Sequence, residues 1–328
     1  MRAWRASSIS STLERAEIPV PTPEPDELLL RVEACGVCRT DLHVIDHDLP
    51  PHRADVVPGH QIIGIVEARG AAVRRIELGE RLGAAWLRRT CGSCRWCRAG
   101  RENLCPDSLY TGWDADGGFA DYVTVPAGFA YPLGERVDPV QTAPLLCAGI
   151  IGYRALSRSM LPPGGRLGIY GFGSSGHLTA QLALAAGARV CVMTRGEPNR
   201  RLARRLDVEF VGDAFAEPPA PLDAAIIFAP AGDLVPAALQ ATSRGGTVTI
   251  AGLHMSDLPS MQYQGSLFYE RDLRSVTANT RADGAAFLGL AERLGIHAQV
   301  TPYRFQDLPV ALEDLRRGRA SGSLVLTF

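Results

Sequence analysis

Leu167-Gly168-Ile169-Tyr170-Gly171-Phe172-Gly173-Ser174-Ser175-Gly176-His177 is the stretch whose reading decides the fold. Residues 167–170 read as a buried strand, 171–176 as a turn, and the Ala/Leu-rich residues 177–186 as a helix. Each glycine has a physical reason to be there. Gly171 permits the tight turn, Gly173 lets backbone approach a pyrophosphate, and Gly176 allows the helix to pack on the strand. The helix N-terminus then faces the phosphates. Glycines often only end strands, so the motif alone is weak; after a strand and before a helix it marks a dinucleotide site. Residues 189–194, 224–229 and 247–251 continue the buried-strand signal. From about Gly165 onward the chain therefore reads as α/β, with a doubly wound parallel sheet.

The residues closing the second strand decide which dinucleotide. An acidic side chain there would hold a ribose 2′-hydroxyl, whereas arginine favours a 2′-phosphate. This chain has Thr194-Arg195-Gly196, then Arg200 and Arg201. A hydroxyl and a charged fork suit phosphate, which favours NADP(H) over NAD(H). Two other readings stay open: a solvated arginine at a helix start, and Glu197 reaching a ribose.

Upstream, the first 130 or so residues read as β-rich. Short apolar runs such as 28–32 and 62–66 are separated by Pro and Gly. With 328 residues, 46% of them hydrophobic, two domains with sizeable cores are expected. The tail from about Thr280 loses the clear strand–helix alternation, and no internal repeat or long linker interrupts the chain.

Six of the eight cysteines and one histidine fall into two metal-ligand groups. Cys91, Cys94, Cys97 and Cys105 are separated by two, two and seven residues. One loop with that spacing can wrap a tetrahedral ion, and four thiolates suit zinc. The arginines at 88, 89, 95, 98 and 101 are near enough in sequence to offset the negative charge. An iron–sulfur cluster also takes four cysteines, but nothing else in the chain suggests electron transfer. Cys38, His60 and Cys147 form the second group. Two thiolates and one imidazole leave a tetrahedral position open for water or substrate, the mark of a catalytic rather than a structural zinc. Cys35 and Cys191 read as small buried residues.

Composition excludes several alternatives. Net charge is −1 and the pI is near 6.7, so no bulk field attracts nucleic acid or an anionic membrane. No apolar run approaches the roughly 20 residues needed to span a bilayer. Cysteines spaced as metal ligands fit a reducing cytoplasm better than a disulfide scaffold. The chain has no lysine; all 34 basic residues are arginine. Schiff-base chemistry, a Walker-type phosphate loop and a Tyr-x-x-x-Lys proton donor are thereby excluded. Acid–base chemistry has to come from metal and histidine.

With both cysteine groups and the glycine turn in hand, the chain resembles the zinc-containing medium-chain alcohol dehydrogenases over essentially its whole length. That family itself supplies the known instance of the open Cys/Cys/His zinc set. The resemblance extends to the C-terminal Leu324-Val325-Leu326-Thr327-Phe328. Within the family, Gly171 to His177 and His254-Met255-Ser256-Asp257-Leu258-Pro259 are most similar to a bacterial branch. It implies a GroES-like β-rich catalytic domain (1–150), a Rossmann domain (151–279) and a return to the catalytic domain (280–328). It also implies two zinc ions per chain and reversible NAD(P)-linked oxidation of alcohols to aldehydes or ketones. Thr40 matches the hydroxyl that takes the alcohol proton, His43 the histidine that passes it on, and Arg39 a pyrophosphate contact. Asp41 would orient His60 from behind, and Trp86 resembles an aromatic wall of the substrate pocket. Thr40 and Asp41 as simple helix caps, Trp86 as plain core, and His47 in place of His43 remain open readings.

Two positions depart from the family. Gly59-His60-Gln61 stands where Gly-His-Glu is usual, so the ligand-exchange role proposed for that carboxylate does not carry over. Ser323 stands where some relatives place a phosphate-binding arginine. The reading is therefore a zinc-dependent alcohol dehydrogenase or aldehyde reductase with a small-molecule alcohol or aldehyde as partner, expected as a homo-dimer or homo-tetramer. Alternatives are a cinnamyl-type zinc reductase of unsaturated aldehydes and, more remotely, a non-catalytic zinc module.

Overall fold

The computed structural model describes residues 1–134 and 136–328. It falls into two compact units: residues 1–147, 278–286 and 299–328, and residues 148–277 and 287–298.

In the first unit, the strand Glu27–Val37 is the organising element. Its run Leu28-Leu29-Leu30-Arg31-Val32 is apolar at all but one position, which suits a strand covered on both faces. Gln61–Arg69 pairs antiparallel along one side of it, and both Ser323–Thr327 and Tyr122–Pro126 also pair with it. Beyond these lie Arg81–Ala84 and Ala130–Pro132 on one side, and Val300–Arg304 on the other, giving seven strands. The 28–32 and 62–66 runs expected from sequence sit inside these longer strands. A separate three-stranded sheet joins Leu13–Glu17, Arg2–Ser7 and Asp55–Val56. The Trp4 indole N–H donates to the Phe305 carbonyl at 2.9 Å, tying that sheet to the C-terminal segment. Contrary to the sequence expectation, the tail from about Thr280 does alternate: helix Arg281–Leu294, strand Val300–Arg304, helix Leu308–Arg316 and strand Ser323–Thr327.

The second unit carries six parallel strands in the order Phe210–Gly212, Arg189–Met193, Arg166–Tyr170, Leu222–Ile227, Thr242–Ile250, Asp272–Ser275. The spatial order 3-2-1-4-5-6 is that of a dinucleotide-binding doubly wound sheet, with the chain reversing beside strand Arg166–Tyr170. Leu167, Ile169, Val190, Val192, Ala224 and Ile226 are fully buried on one core face. The following helix runs Ser174–Ala185, starting three residues earlier than sequence alone suggests. Gly173 is its cap residue, so the last three residues of the glycine motif form the first helical turn, whose N–H groups have no intrahelical partner. Among the described residues, no helix is long and apolar enough to cross a membrane.

Candidate metal centres and dinucleotide turn

Antiparallel register explains how candidate ligands 22 residues apart meet. Gly36 pairs with Gln61, so the end of one strand and the start of the next lie side by side. Cys38 follows the first strand and His60 precedes the second. Gly59 makes the entry possible: its φ is +94°, and a Cβ there would stand 2.6 Å from the Phe119 ring. The third ligand arrives from a helical turn over Ala143–Leu146. Leu146 seats against Gly83, where a Cβ would lie 2.8 Å from Leu146 Cδ2, and Cys147 comes next.

The ligand atoms of Cys38, His60 and Cys147 all lie within 4.8 Å of one another. Cys38 Sγ is 3.4 Å from His60 Nε2. For a tetrahedral zinc with ordinary bond lengths that edge measures about 3.6 Å, so the donors fit the ion. Crowding supports the same conclusion. The neighbouring Cys147 sulfur and burial push the Cys38 thiol well above its ordinary value, a cost that a divalent cation removes. Asp41 and His60 are each only 1% exposed in their side chains. Asp41 Oδ1 stands 3.2 Å from His60 Nδ1, off the line of a hydrogen bond, and accepts the Gly59 N–H at 3.2 Å. Asp41 Oδ2 accepts the Cys38 N–H at 2.8 Å, closing a capping box on the helix Arg39–Ile45. The carboxylate thus caps the helix and braces two ligand-bearing segments together.

Cys91, Cys94, Cys97 and Cys105 also converge. Their sulfur separations include 3.5 Å (Cys91–Cys105), 3.6 Å (Cys94–Cys97) and 4.0 Å (Cys91–Cys97). A zinc–sulfur tetrahedron has edges of about 3.8 Å. The Cys94 and Cys97 N–H groups point at the sulfurs of Cys91 and Cys94, as suits thiolates. Backbone N–H groups of Ser93 and Cys94 lower the Cys91 thiol to about 6. Arginines expected to offset the thiolate charge have other partners. Arg88 and Arg89 pair with Glu27 and Asp26, while Arg95 and Arg101 stack on Trp96 at 4.3 and 4.9 Å.

Around the open centre, Trp86 presents an edge to His60 at 4.9 Å and is 9% exposed. Tyr110 and Trp113, which sequence reading did not single out, stack on it at 5.0 and 6.0 Å. No spacing signal marks them, because the strand Leu109–Tyr110 and the turn after it meet Trp86 only through tertiary packing. Arg39, Thr40 and His43 share the helix Arg39–Ile45, and His43 Nδ1 lies 2.7 Å from Asp48 Oδ2. His47, the rival to His43, is bound through Nε2 to the Ser7 carbonyl at 2.7 Å. Gln61 is buried, and a Cβ on Gly36 would lie 2.5 Å from its Oε1.

In the second unit, Gly171 has φ +93° and Gly176 packs against the Gly171 carbonyl, where a Cβ would come within 2.4 Å. A Cβ on Gly173 would meet nothing within 4 Å, which leaves room for a phosphate to approach that backbone. Thr194 is buried, and its hydroxyl accepts the Phe172 N–H at 3.2 Å. That hydroxyl is engaged with the turn, whereas Arg195 is exposed. Glu197 binds Arg200 at 3.1 Å and Arg204 at 2.8 Å; those hydrogen bonds hold its carboxyl below the ordinary range.

Comparisons with known proteins agree with this geometry. Residues 24–135 match the alcohol dehydrogenase GroES-like domain. The chain is 55% identical over 335 aligned residues to a probable alcohol dehydrogenase of Mycobacterium tuberculosis, covering 99% of this chain and 97% of that one. An acetophenone reductase from Geotrichum candidum, solved with NAD, superposes with a TM-score of 0.91 at 28% identity, covering 100% and 97% of the two chains. A putative zinc-binding dehydrogenase from Sinorhizobium meliloti, bound to NADP, gives 0.87 at 29% identity, covering 100% and 99%. The fold and the open ligand set define a zinc-type, nicotinamide-linked oxidoreductase. The chain belongs to the zinc-containing medium-chain alcohol dehydrogenase family.

Proposed function

We propose that this enzyme interconverts a primary or secondary alcohol and its aldehyde or ketone, with NADP(H) as the hydride carrier. The observation that carries the reading is the set of three donors, Cys38 Sγ, His60 Nε2 and Cys147 Sγ, converging within 4.8 Å with a fourth tetrahedral direction left to substrate. A zinc ion held there supplies Lewis acidity toward the substrate oxygen. The chain's own residues do the rest. Asp41 keeps the Cys38 and His60 segments in register, and Trp86 limits the space beside His60. Thr40 takes the alcohol proton and hands it to His43. The 171–176 turn binds the pyrophosphate, and Arg195 selects the 2′-phosphate. The four-cysteine loop holds a second, structural zinc.

The test is metal analysis combined with turnover on an alcohol and aldehyde panel. Two zincs per chain are expected in the native enzyme. Cys38→Ser should retain the zinc of the four-cysteine loop and the fold while losing turnover by several orders of magnitude. Near-native turnover in that variant would exclude zinc chemistry at this centre.

A further inference from the structure

We propose that Asp48 is a positioning residue for proton release, holding His43 in the tautomer and orientation that let Nε2 receive the proton. The proposal rests on the Thr40–His43 relay stated above and adds to it a residue that no motif contains.

The geometry begins at the end of the helix Arg39–Ile45. His43 lies in its last turn, and the Asp46 N–H closes the helix onto the Leu42 carbonyl at 2.7 Å. His47 then enters the left-handed region at φ +63°, unusual for a side chain with a Cβ. Such a conformation costs about 1–3 kcal/mol and persists where surrounding contacts enforce it. Here the His47 ring is tied to the Ser7 carbonyl at 2.7 Å, and the Leu49 N–H donates to the His43 carbonyl at 3.1 Å. The reversed chain brings Asp48 Oδ2 to 2.7 Å from His43 Nδ1. The turn's other carboxylate is committed elsewhere: Asp46 accepts two hydrogen bonds from Arg316, at 2.7 and 2.9 Å.

A carboxylate only accepts, so His43 Nδ1 is the donor to Asp48, and in the neutral ring Nε2 is then the nitrogen with a free lone pair. When the relay operates, the O–H bond of the donating hydroxyl breaks with its electron pair left on oxygen, and an N–H bond forms at Nε2. The ring carries one positive charge, which the adjacent Asp48 carboxylate stabilises without being protonated. Loss of that proton to water restores the neutral ring. An acid–base histidine held by a carboxylate is the same division of labour seen in nucleophile–His–Asp sites, although Asp48 is more exposed than the aspartate of those sites. The His43 side chain is 14% exposed and Asp48 43% exposed, so the pair reaches from the protein interior to solvent.

The experiment is a kinetic double-mutant cycle on the zinc-loaded, full-length enzyme, measuring alcohol oxidation at saturating cofactor. Asp48→Asn should lower kcat about tenfold, the low end for a charge-assisted hydrogen bond because Asp48 is 43% exposed, with KM within about twofold. Asp48→Glu should restore most of the rate. In a His43→Gln background, Asp48→Asn should cost nothing further, because its only route to the chemistry is gone. If Asp48→Asn slows both backgrounds by the same factor, it acts through general damage to the turn and the proposal fails. If His43→Gln is slow but Asp48→Asn is as fast as wild type, the relay stands and the role of Asp48 is refuted. If His43→Gln itself turns over normally, the relay reading falls, and the positioning role falls with it.

Discussion

Arg281→Met should destabilise the first unit by about 2–3 kcal/mol and loosen the four-cysteine loop. Glu102 lies in that loop between Cys97 and Cys105, and its carboxylate receives four contacts from one residue. These are the Arg281 backbone N–H at 2.8 Å, Nε at 3.0 and 3.1 Å, and Nη2 at 2.6 Å. The variant keeps only the backbone donor. Stranding a buried charge costs about 3–5 kcal/mol. Here the Glu102 side chain is 10% exposed but Arg281 is 48% exposed, so water replaces part of the lost contact and the estimate drops to about 2–3 kcal/mol. At roughly 2–4 °C per kcal/mol for a domain of this size, Tm should fall by about 5–10 °C. The pH dependence follows from Glu102. Burial alone would raise its carboxyl, but the Arg281 hydrogen bonds more than reverse this and hold it below the ordinary range. A lowered folded-state value means the contribution is present above the unfolded value, about 4.3, and is lost as pH falls through the folded one. The gap between wild type and variant should therefore shrink in acid. Calorimetry between about pH 3 and pH 7, with zinc release to a chelator in parallel, checks both effects. Adding Glu102→Gln to Arg281→Met removes the stranded charge and should recover part of the loss. A Tm within about 1 °C of wild type, or a double variant no more stable than Arg281→Met, would refute the reasoning.

Two further outcomes are expected. Cys97→Ser should lower thermal stability more than it lowers turnover per folded molecule, because structural zinc contributes folding free energy directly; an unchanged Tm with two zincs still bound would contradict this. Arg195→Ala should reduce kcat/KM for NADPH by about ten- to a hundredfold, at roughly 1.5–3 kcal/mol for a charge-assisted contact, while NADH is nearly untouched. Steady-state kinetics with both cofactors decides it, and equal losses with the two would remove Arg195 from phosphate recognition.

The sequence was most legible where function depends on local backbone. Gly171, Gly173 and Gly176 name their own tasks because a tight turn, an open approach and a close helix contact are each set within six residues. The cysteine spacing of 91, 94, 97 and 105 is legible for the same reason: one loop closes one tetrahedron. Helix starts were less so. Ser174 to Gly176 read as turn because glycine and serine are poor helix formers, yet the cap at Gly173 commits them to the first helical turn.

By itself, the sequence pointed to the two cysteine-based donor groups, the glycine turn and the exclusion of lysine chemistry, since those depend on side-chain identity and short spacings. Tertiary structure alone decided which partners those groups keep. The antiparallel register of Gly36 with Gln61 brings Cys38 to His60, and no local rule encodes a register across 25 residues. Packing turned Thr194 inward to the Phe172 N–H, engaged Glu197 with two arginines, and sent Arg88 and Arg89 to Glu27 and Asp26. It also carried Asp48 back onto His43 through a left-handed residue that a sequence pattern would not place there. The physical reason is common to all of them. A polar or charged group pairs with what lies beside it in three dimensions, and that is chosen by where the strands and turns deliver it.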